Sequence, residues 1–218
     1  MNGVLADLSD REYSIRRLLD HIDDVSNVRG KVDIIVVLKS SAFIAIYNNI
    51  EATIYSVVER IHSHASPLTY DDLSDALRTR MLRYSFGKTA GAFMNDAGKV
   101  AQEELNIRRT GQKFPDLANY LKKQSLFSGN VDARKLNVIN ASYGIPRISF
   151  AKEDAERMLW VKNKRNKIAH GEQSMSDGGQ GIKTSSLRSA SQSVSVILQE
   201  FVRAVEVHLN TDSFRRSP

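Results

Sequence analysis

Hydrophobic positions repeat at helical spacing over the first third of the chain. Ser9 and Glu12 form a capping-box pair, in which each side chain bonds a backbone N–H group at a helix start, and they predict a first helix that begins there and ends near Gly30. In the next segment, 31–62, apolar residues recur at an average step of about 3.7 residues, close to the helical 3.6. This pattern predicts one long second helix with a single apolar face, formed by Ile35, Leu38, Ala42, Ile46, Ile50, Ile54, Val57 and Ile61.

The remainder of the chain also favours helices. Thr69 and Asp72 indicate another helix start, and Gly and Pro residues separate shorter helices at about 70–85, 90–105, 115–124 and 132–142. A helical pattern over 152–170 leads into 171–183, which is rich in Gly, Ser and Asp and is predicted to be a flexible loop. A last helix is predicted over 185–209. No segment predicts a strand, so the expected fold class is all-α.

Composition restricts the chemistry. The chain has 218 residues and no cysteine, which excludes a disulfide scaffold, a thiolate zinc site and a cysteine nucleophile. Lys and Arg number 31 against 25 Asp and Glu, and the formal net charge of +6 favours a polyanionic partner. The N-terminus lacks the pattern of a signal peptide, and no uninterrupted apolar run approaches the ~20 residues of a membrane span. We therefore expect a cytoplasmic protein without a membrane partner.

One segment, 162–172, stands out for its polar chemistry. Its sequence is KNKRNKIAHGE, and five basic residues but no acidic one lie between Arg157 and His170. A solvated basic face would explain such a charge run by itself. On a helix, however, Asn163, Asn166 and His170 share one face, whereas Arg165 lies about 140° from His170. Arg165 and His170 can then meet only through the long arginine side chain or across a symmetry axis.

These residue types suit RNA cleavage by internal transfer. The attacking group is the 2′-hydroxyl of the RNA, so the protein supplies only proton transfer and stabilisation of the phosphate. A histidine moves protons at neutral pH, and an arginine matches the phosphate oxygens with permanent charge. Asn166 would orient the imidazole or donate a hydrogen bond to the phosphate. Neither a metal ion nor another cofactor is required by this chemistry.

The segment 165–170, RNKIAH, resembles the R-x(4–6)-H motif of the HEPN superfamily. The second-helix stretch 37–54 is also similar to the stand-alone bacterial branch of that superfamily. The resemblance implies one HEPN-like domain over 1–218, a helical bundle with a helical insertion at about 66–148. It implies a homodimer in which two motifs form one composite site. Many members are metal-independent ribonucleases of toxin–antitoxin or antiphage systems, and others only bind nucleic acid or nucleotides.

Carried over to this chain, the resemblance assigns the phosphate to Arg165, proton transfer to His170 and a supporting role to Asn166. Glu51 is a further candidate, since some members add a polar residue from the second helix; alternatively, Asn48 and Glu51 both mark the solvent side of that helix. We also expect the RNA backbone to contact three lysines, Lys162, Lys164 and Lys167. One toxin branch has a Tyr that its antitoxin modifies where this chain has Glu172, so an antitoxin that acts in that way is not expected.

Other signals are weaker. His62 and His64 point to different faces of a helix and have no evident third ligand, which argues against a metal site. Scattered basic residues would extend a phosphate-binding track if they converged in space, but solvated faces explain them adequately: Arg78, Arg80, Arg83, Arg108, Arg109, Lys122 and Lys123.

Three functions stay open from the sequence. The first is a dimeric, metal-independent endoribonuclease, with an antitoxin or defence-system protein as a possible partner. The second is a catalytically inactive module that binds RNA or a nucleotide. The third is a dimeric module that only holds another protein.

Overall fold

The computed structural model of the protein describes residues 1–127 and 129–216. It is 75% helical and contains no strand within these residues, which confirms the all-α class. Short 3-10 turns occur at Tyr70–Asp72 and Gly87–Thr89. Helices α1 to α10 span Asn2–Ser26, Val32–Ala65, Asp75–Phe86, Ala90–Phe93, Ala97–Thr110, Leu117–Lys123, Ala133–Ser142, Lys152–Ala169, Met175–Gly179 and Thr184–Asn210.

The predicted start of the first helix is wrong. Helix α1 begins at Asn2, so Ser9 lies inside it. Val4 and Leu8 are each 2% exposed and extend the apolar stripe of the helix toward the N-terminus. Burying two aliphatic side chains stabilises the extra turns by more than the roughly 1 kcal/mol that a cap contributes, so packing overrides the local signal. The capping box of Thr69 and Asp72 is present, although the turn it starts is the 3-10 turn Tyr70–Asp72.

Helix α2 places its predicted apolar face in the core. Of the eight predicted positions, Leu38 is half-buried. The other seven are buried: Ile35, Ala42, Ile46, Ile50, Ile54, Val57 and Ile61. By length and composition alone α2 could cross a membrane, and 44% of its most apolar window is buried within the protein. A core helix of a soluble protein has the same composition, and burial of the apolar face fits that interpretation.

The predicted loop 171–183 is helical over Met175–Gly179, which is helix α9. Its start is capped by Ser174 and Asp177, which bond each other's backbone N–H groups. Gly178 and Gly179 are buried, and a Cβ atom on Gly179 would lie 1.9 Å from the carbonyl oxygen of Val36. Gly179, one of the glycines that suggested flexibility, is therefore needed for close contact with the backbone of α2.

The chain divides into two compact units. The first comprises residues 1–54, 129–135 and 149–202, and the remaining described residues form the second. In the first unit, Arg11 on α1 donates hydrogen bonds to Asn49 and Thr53 on α2 at 2.8 and 3.1 Å. Also in this unit, Phe43 meets Trp160 of α8 edge-to-face at 4.8 Å. The expectation of a single domain with an insertion at about 66–148 stays a prediction.

The second unit contains a buried polar cluster. The His62 ring hydrogen-bonds the Pro115 carbonyl and the Tyr143 hydroxyl, both at 2.9 Å, and the carbonyl accepts from Nδ1. Burial, together with the positive charge of Arg80, lowers the pKa of His62 to about 4. Arg80 is itself buried over the Tyr143 ring and donates to Tyr120 and Ser142, so its interpretation as a solvated basic residue is wrong.

Candidate active site

The motif segment lies at the C-terminal end of α8. The helix ends at Ala169, and His170 caps it while its backbone N–H still bonds the Asn166 carbonyl at 2.9 Å. The side chain of His170 is exposed. Gly171 then adopts φ +74°, a left-handed conformation that glycine permits at little cost, and the chain leaves the helix direction. An imidazole at an exposed helix end is accessible to a large substrate.

Arg165 faces helix α2 within the first unit. Its guanidinium lies 4.5 Å from the centre of the Tyr47 ring and 3.8 Å from the Glu51 carboxylate. It also approaches the Gly129 carbonyl at 3.5 Å and the Asn166 side-chain oxygen at 3.3 Å. Charge-assisted hydrogen bonds are usually about 2.7–2.9 Å, so these contacts orient the guanidinium loosely. With 22% of the side chain exposed, phosphate oxygens could compete for its N–H groups.

The two polar candidates on α2 differ in their surroundings. Asn48 is exposed, as the solvent-side interpretation expects. The Glu51 side chain is only 23% exposed and faces Arg165, so that interpretation is wrong for Glu51. A carboxylate beside the guanidinium attracts it toward α2 but also competes with a phosphate for it.

Tyr47 is a part of this site that sequence reasoning missed. Its hydroxyl donates to the Gly129 carbonyl at 2.7 Å and accepts from the backbone N–H of Val131 at 2.9 Å. Burial raises the pKa of Tyr47 against the effect of the Val131 N–H, and the nearby Glu51 carboxylate also raises it. The phenol thus stays neutral and fastens the segment 129–131. Its spacing of four residues from Glu51 was the only signal in the sequence that could have placed it on the same face.

Asn130 is the second residue that sequence reasoning missed. The Asn166 side-chain amide donates a hydrogen bond to the side-chain oxygen of Asn130. Asn130 is exposed and lies in the segment that Tyr47 fastens. No sequence pattern connects two asparagines 36 positions apart.

The three lysines have different environments. The Lys162 ammonium pairs with Asp132 at 3.3 Å, with both side chains mostly buried. Burial raises the pKa of Asp132, but the Lys135 backbone N–H and Lys162 outweigh it, and the net pKa is lowered. Lys164 reaches the Gly178 carbonyl at 3.4 Å, whereas Lys167 is exposed. Of the three, Lys167 fits the expected contact with RNA best.

Metal ligands do not cluster in the part of the chain that the structure describes, where no group of three or more His, Asp or Glu side chains is placed to hold an ion. Of the two histidines weighed as ligands, His62 already uses both ring nitrogens, and His64 is exposed and bonded to the Arg60 carbonyl.

An all-α fold that carries the Arg-to-His motif at the end of a long helix defines a protein of the HEPN class. A family model described as RiboL-PSP-HEPN matches residues 6–207, and the chain belongs to this family. A search of curated proteins and a search of solved structures each found no match. Membership of a HEPN family indicates a nuclease or RNA-related function.

Proposed function

We propose that the protein is a metal-independent endoribonuclease. The observation that carries the proposal is the half-buried guanidinium of Arg165, held between Tyr47 and Glu51 and five residues before the exposed His170. A permanent cation with loosely occupied N–H groups suits a phosphodiester, and an accessible imidazole suits proton transfer.

The reaction needs two proton transfers. A base removes the proton of the 2′-hydroxyl, the 2′-oxygen bonds to phosphorus, and the bond from phosphorus to the 5′-oxygen breaks. An acid gives that 5′-oxygen a proton, so the products are a 2′,3′-cyclic phosphate and a 5′-hydroxyl. Arg165 stabilises the negative charge on the phosphate oxygens, and His170 moves protons. Asn166, supported by Asn130, orients the phosphate.

The need for two proton transfers also favours a dimer. The motif contains one imidazole, and separate acid and base groups on opposite sides of the phosphate are supplied most simply when two copies pool their residues. We extend the proposal to a cytoplasmic toxin or antiphage effector, because such systems use the metal-independent nucleases that the motif resembles.

RNA cleavage in the presence of EDTA tests the proposal. We expect the parent protein to leave cyclic-phosphate ends, and Arg165→Ala and His170→Ala each to reduce the rate at least about 100-fold. Arg157→Ala removes a half-buried cation of the same helix that pairs with Glu153, and His21→Ala removes an exposed imidazole of α1. Both controls should cleave as the parent does.

Other results would reject the nuclease assignment. Salt-dependent RNA binding without cyclic-phosphate product would identify an inactive binding module. Neither binding nor cleavage would identify a module that only holds another protein.

A further inference from the structure

A groove lies in the second unit, outside the candidate active site. It has a volume of about 520 Å³ and is formed by the end of α3, helix α4 and one face of α5. Two phenylalanines, two cations and two amides line it: Phe86, Phe93, Lys99, Gln102, Asn106 and Arg109.

The aromatic side of the groove is partly open. Phe86 and Phe93 pack edge-to-face at 5.5 Å, and both are only half-buried. The Lys99 ammonium lies 3.9 Å from the centre of the Phe93 ring. The face of the Phe93 ring is therefore accessible to a cation. If a bound anion attracts the Lys99 ammonium away from the ring, a planar group can stack on the same face.

The polar side of the groove is one face of α5. Lys99, Gln102, Asn106 and Arg109 follow at i, i+3, i+7 and i+10, which places them within about 80° around the helix axis. All four are exposed. The two cations are separated by about 15 Å along the axis, with the amides between them. This face of the helix thus presents a cation near each end and two amides between them.

The two cations of the groove, Lys99 and Arg109, outnumber the one carboxylate in its lining. Its carboxylate, Glu103, accepts a hydrogen bond from the Ser85 hydroxyl. By contrast, Arg108, the neighbour of Arg109 in sequence, pairs with Asp71 and Glu104. Of the scattered basic residues noted in the sequence, Arg109 is the one in the lining of the groove that the structure describes.

We propose that this groove binds single-stranded RNA, with a base stacked on Phe93 and phosphates at Lys99 and Arg109. Sequence-tolerant recognition of single strands uses this combination of aromatic faces and cations. The choice of RNA as the nucleic acid rests on the proposed function. The groove then gives the second unit an RNA contact of its own.

Binding of a 2′-O-methyl oligouridine of about 12 nucleotides tests the groove, because this probe has no free 2′-hydroxyl and cannot be cleaved. Fluorescence anisotropy of the labelled probe gives the affinity of the full chain. Phe93→Leu keeps apolar volume but removes the ring, and we expect affinity to fall about tenfold. Circular dichroism and the melting temperature establish that the variant is folded.

The double variant Lys99→Gln/Arg109→Gln tests the cations. Each phosphate contact on a single strand contributes about 0.7 to the slope of log affinity against log salt, so the slope should become shallower by about 1.4. Arg60→Gln/Lys122→Gln removes the same charge from exposed positions of the second unit outside the groove lining. This control should keep the parent slope to within about 0.3.

The two proposals fail separately. If the probe binds the parent and the groove variants equally, or if the parent does not bind it, the groove is not an RNA site. Cleavage by the parent in EDTA would still support the nuclease. If the groove variants lose affinity while neither they nor the parent cleave RNA, the groove assignment holds and the nuclease assignment fails.

Discussion

Tyr47→Phe removes one hydroxyl from the candidate active site and keeps the aromatic ring beside Arg165. The lost hydroxyl donates to the Gly129 carbonyl at 2.7 Å and accepts from the buried Val131 N–H at 2.9 Å. No other change in the ring or its charge accompanies the substitution, since the phenol is neutral. The variant therefore isolates the attachment of segment 129–131 to α2.

The magnitude follows from these two bonds. A typical hydrogen bond contributes about 1 kcal/mol net, and a buried donor left without a partner costs about 1–3 kcal/mol. Tyr47 is fully buried, so water does not readily replace its hydroxyl. We expect the free energy of unfolding to fall by about 2–4 kcal/mol. Because the segment that carries Asn130 is then no longer held by the Tyr47 hydroxyl, kcat/KM for RNA cleavage should fall about tenfold or more.

Urea unfolding and cleavage assays on the same preparations measure both effects. Tyr55→Phe is the matched control, since Tyr55 lies on the same helix and is 39% exposed; its unfolding free energy should change by less than about 0.5 kcal/mol. If Tyr47 acts through Asn130, the double variant Tyr47→Phe/Asn130→Ala should cleave no more slowly than Asn130→Ala alone. An unfolding free energy for Tyr47→Phe within about 0.5 kcal/mol of the parent would refute the reasoning.

Three further predictions concern other contacts. The folded-state pKa of His62 is about 4 against an ordinary 6.5, so the contribution of the neutral ring to the free energy of unfolding is complete above pH 6.5 and falls as pH decreases toward 4. His62→Gln should reduce the pH dependence of the unfolding free energy in this range by up to about 1.4 kcal/mol per pH unit in denaturation curves. An unchanged pH dependence would contradict the assignment. Gly179→Ala should lower the free energy of unfolding by at least about 2 kcal/mol, because the added Cβ would collide with the backbone of α2. The control Gly91→Ala places its Cβ in open space and should not destabilise the fold. Equal unfolding free energies for the two variants would show that the contact of Gly179 with α2 is unimportant. Glu51→Gln removes a carboxylate that competes for the motif guanidinium, so RNA should bind about fivefold more tightly, with weaker binding as the contrary result.

Most of the helices could be predicted from the sequence. The long apolar stripe of α2 and the family motif on α8 are local patterns, and the structure confirms both elements and the all-α class. The predictions that failed relied on local signals which distant contacts override. Ser9 has the sequence pattern of a helix cap, but Val4 and Leu8 pack in the core and place the helix start earlier. The glycines of 171–183 predict a flexible loop, but Gly179 packs against the backbone of α2.

The candidate site was only half visible in the sequence. Arg165, Asn166 and His170 are adjacent along the chain, so a short motif reveals them. Tyr47 and Asn130 reach the motif from other segments, and Glu51 could be weighed from the sequence only together with Asn48, as a candidate on α2. No one-dimensional pattern shows which side of α2 faces α8.

The amino-acid order by itself determined the helical class, the chemistry available to the motif and the absence of cysteine chemistry, because periodicity and residue type are properties of neighbouring positions. The tertiary structure decided which groups surround Arg165 and that Lys162 forms an ion pair with Asp132. It also decided that Arg80 is buried, whereas Arg109 lines an open groove. These outcomes depend on packing between distant segments, where burial and charge pairing act through space and leave no periodic trace along the chain.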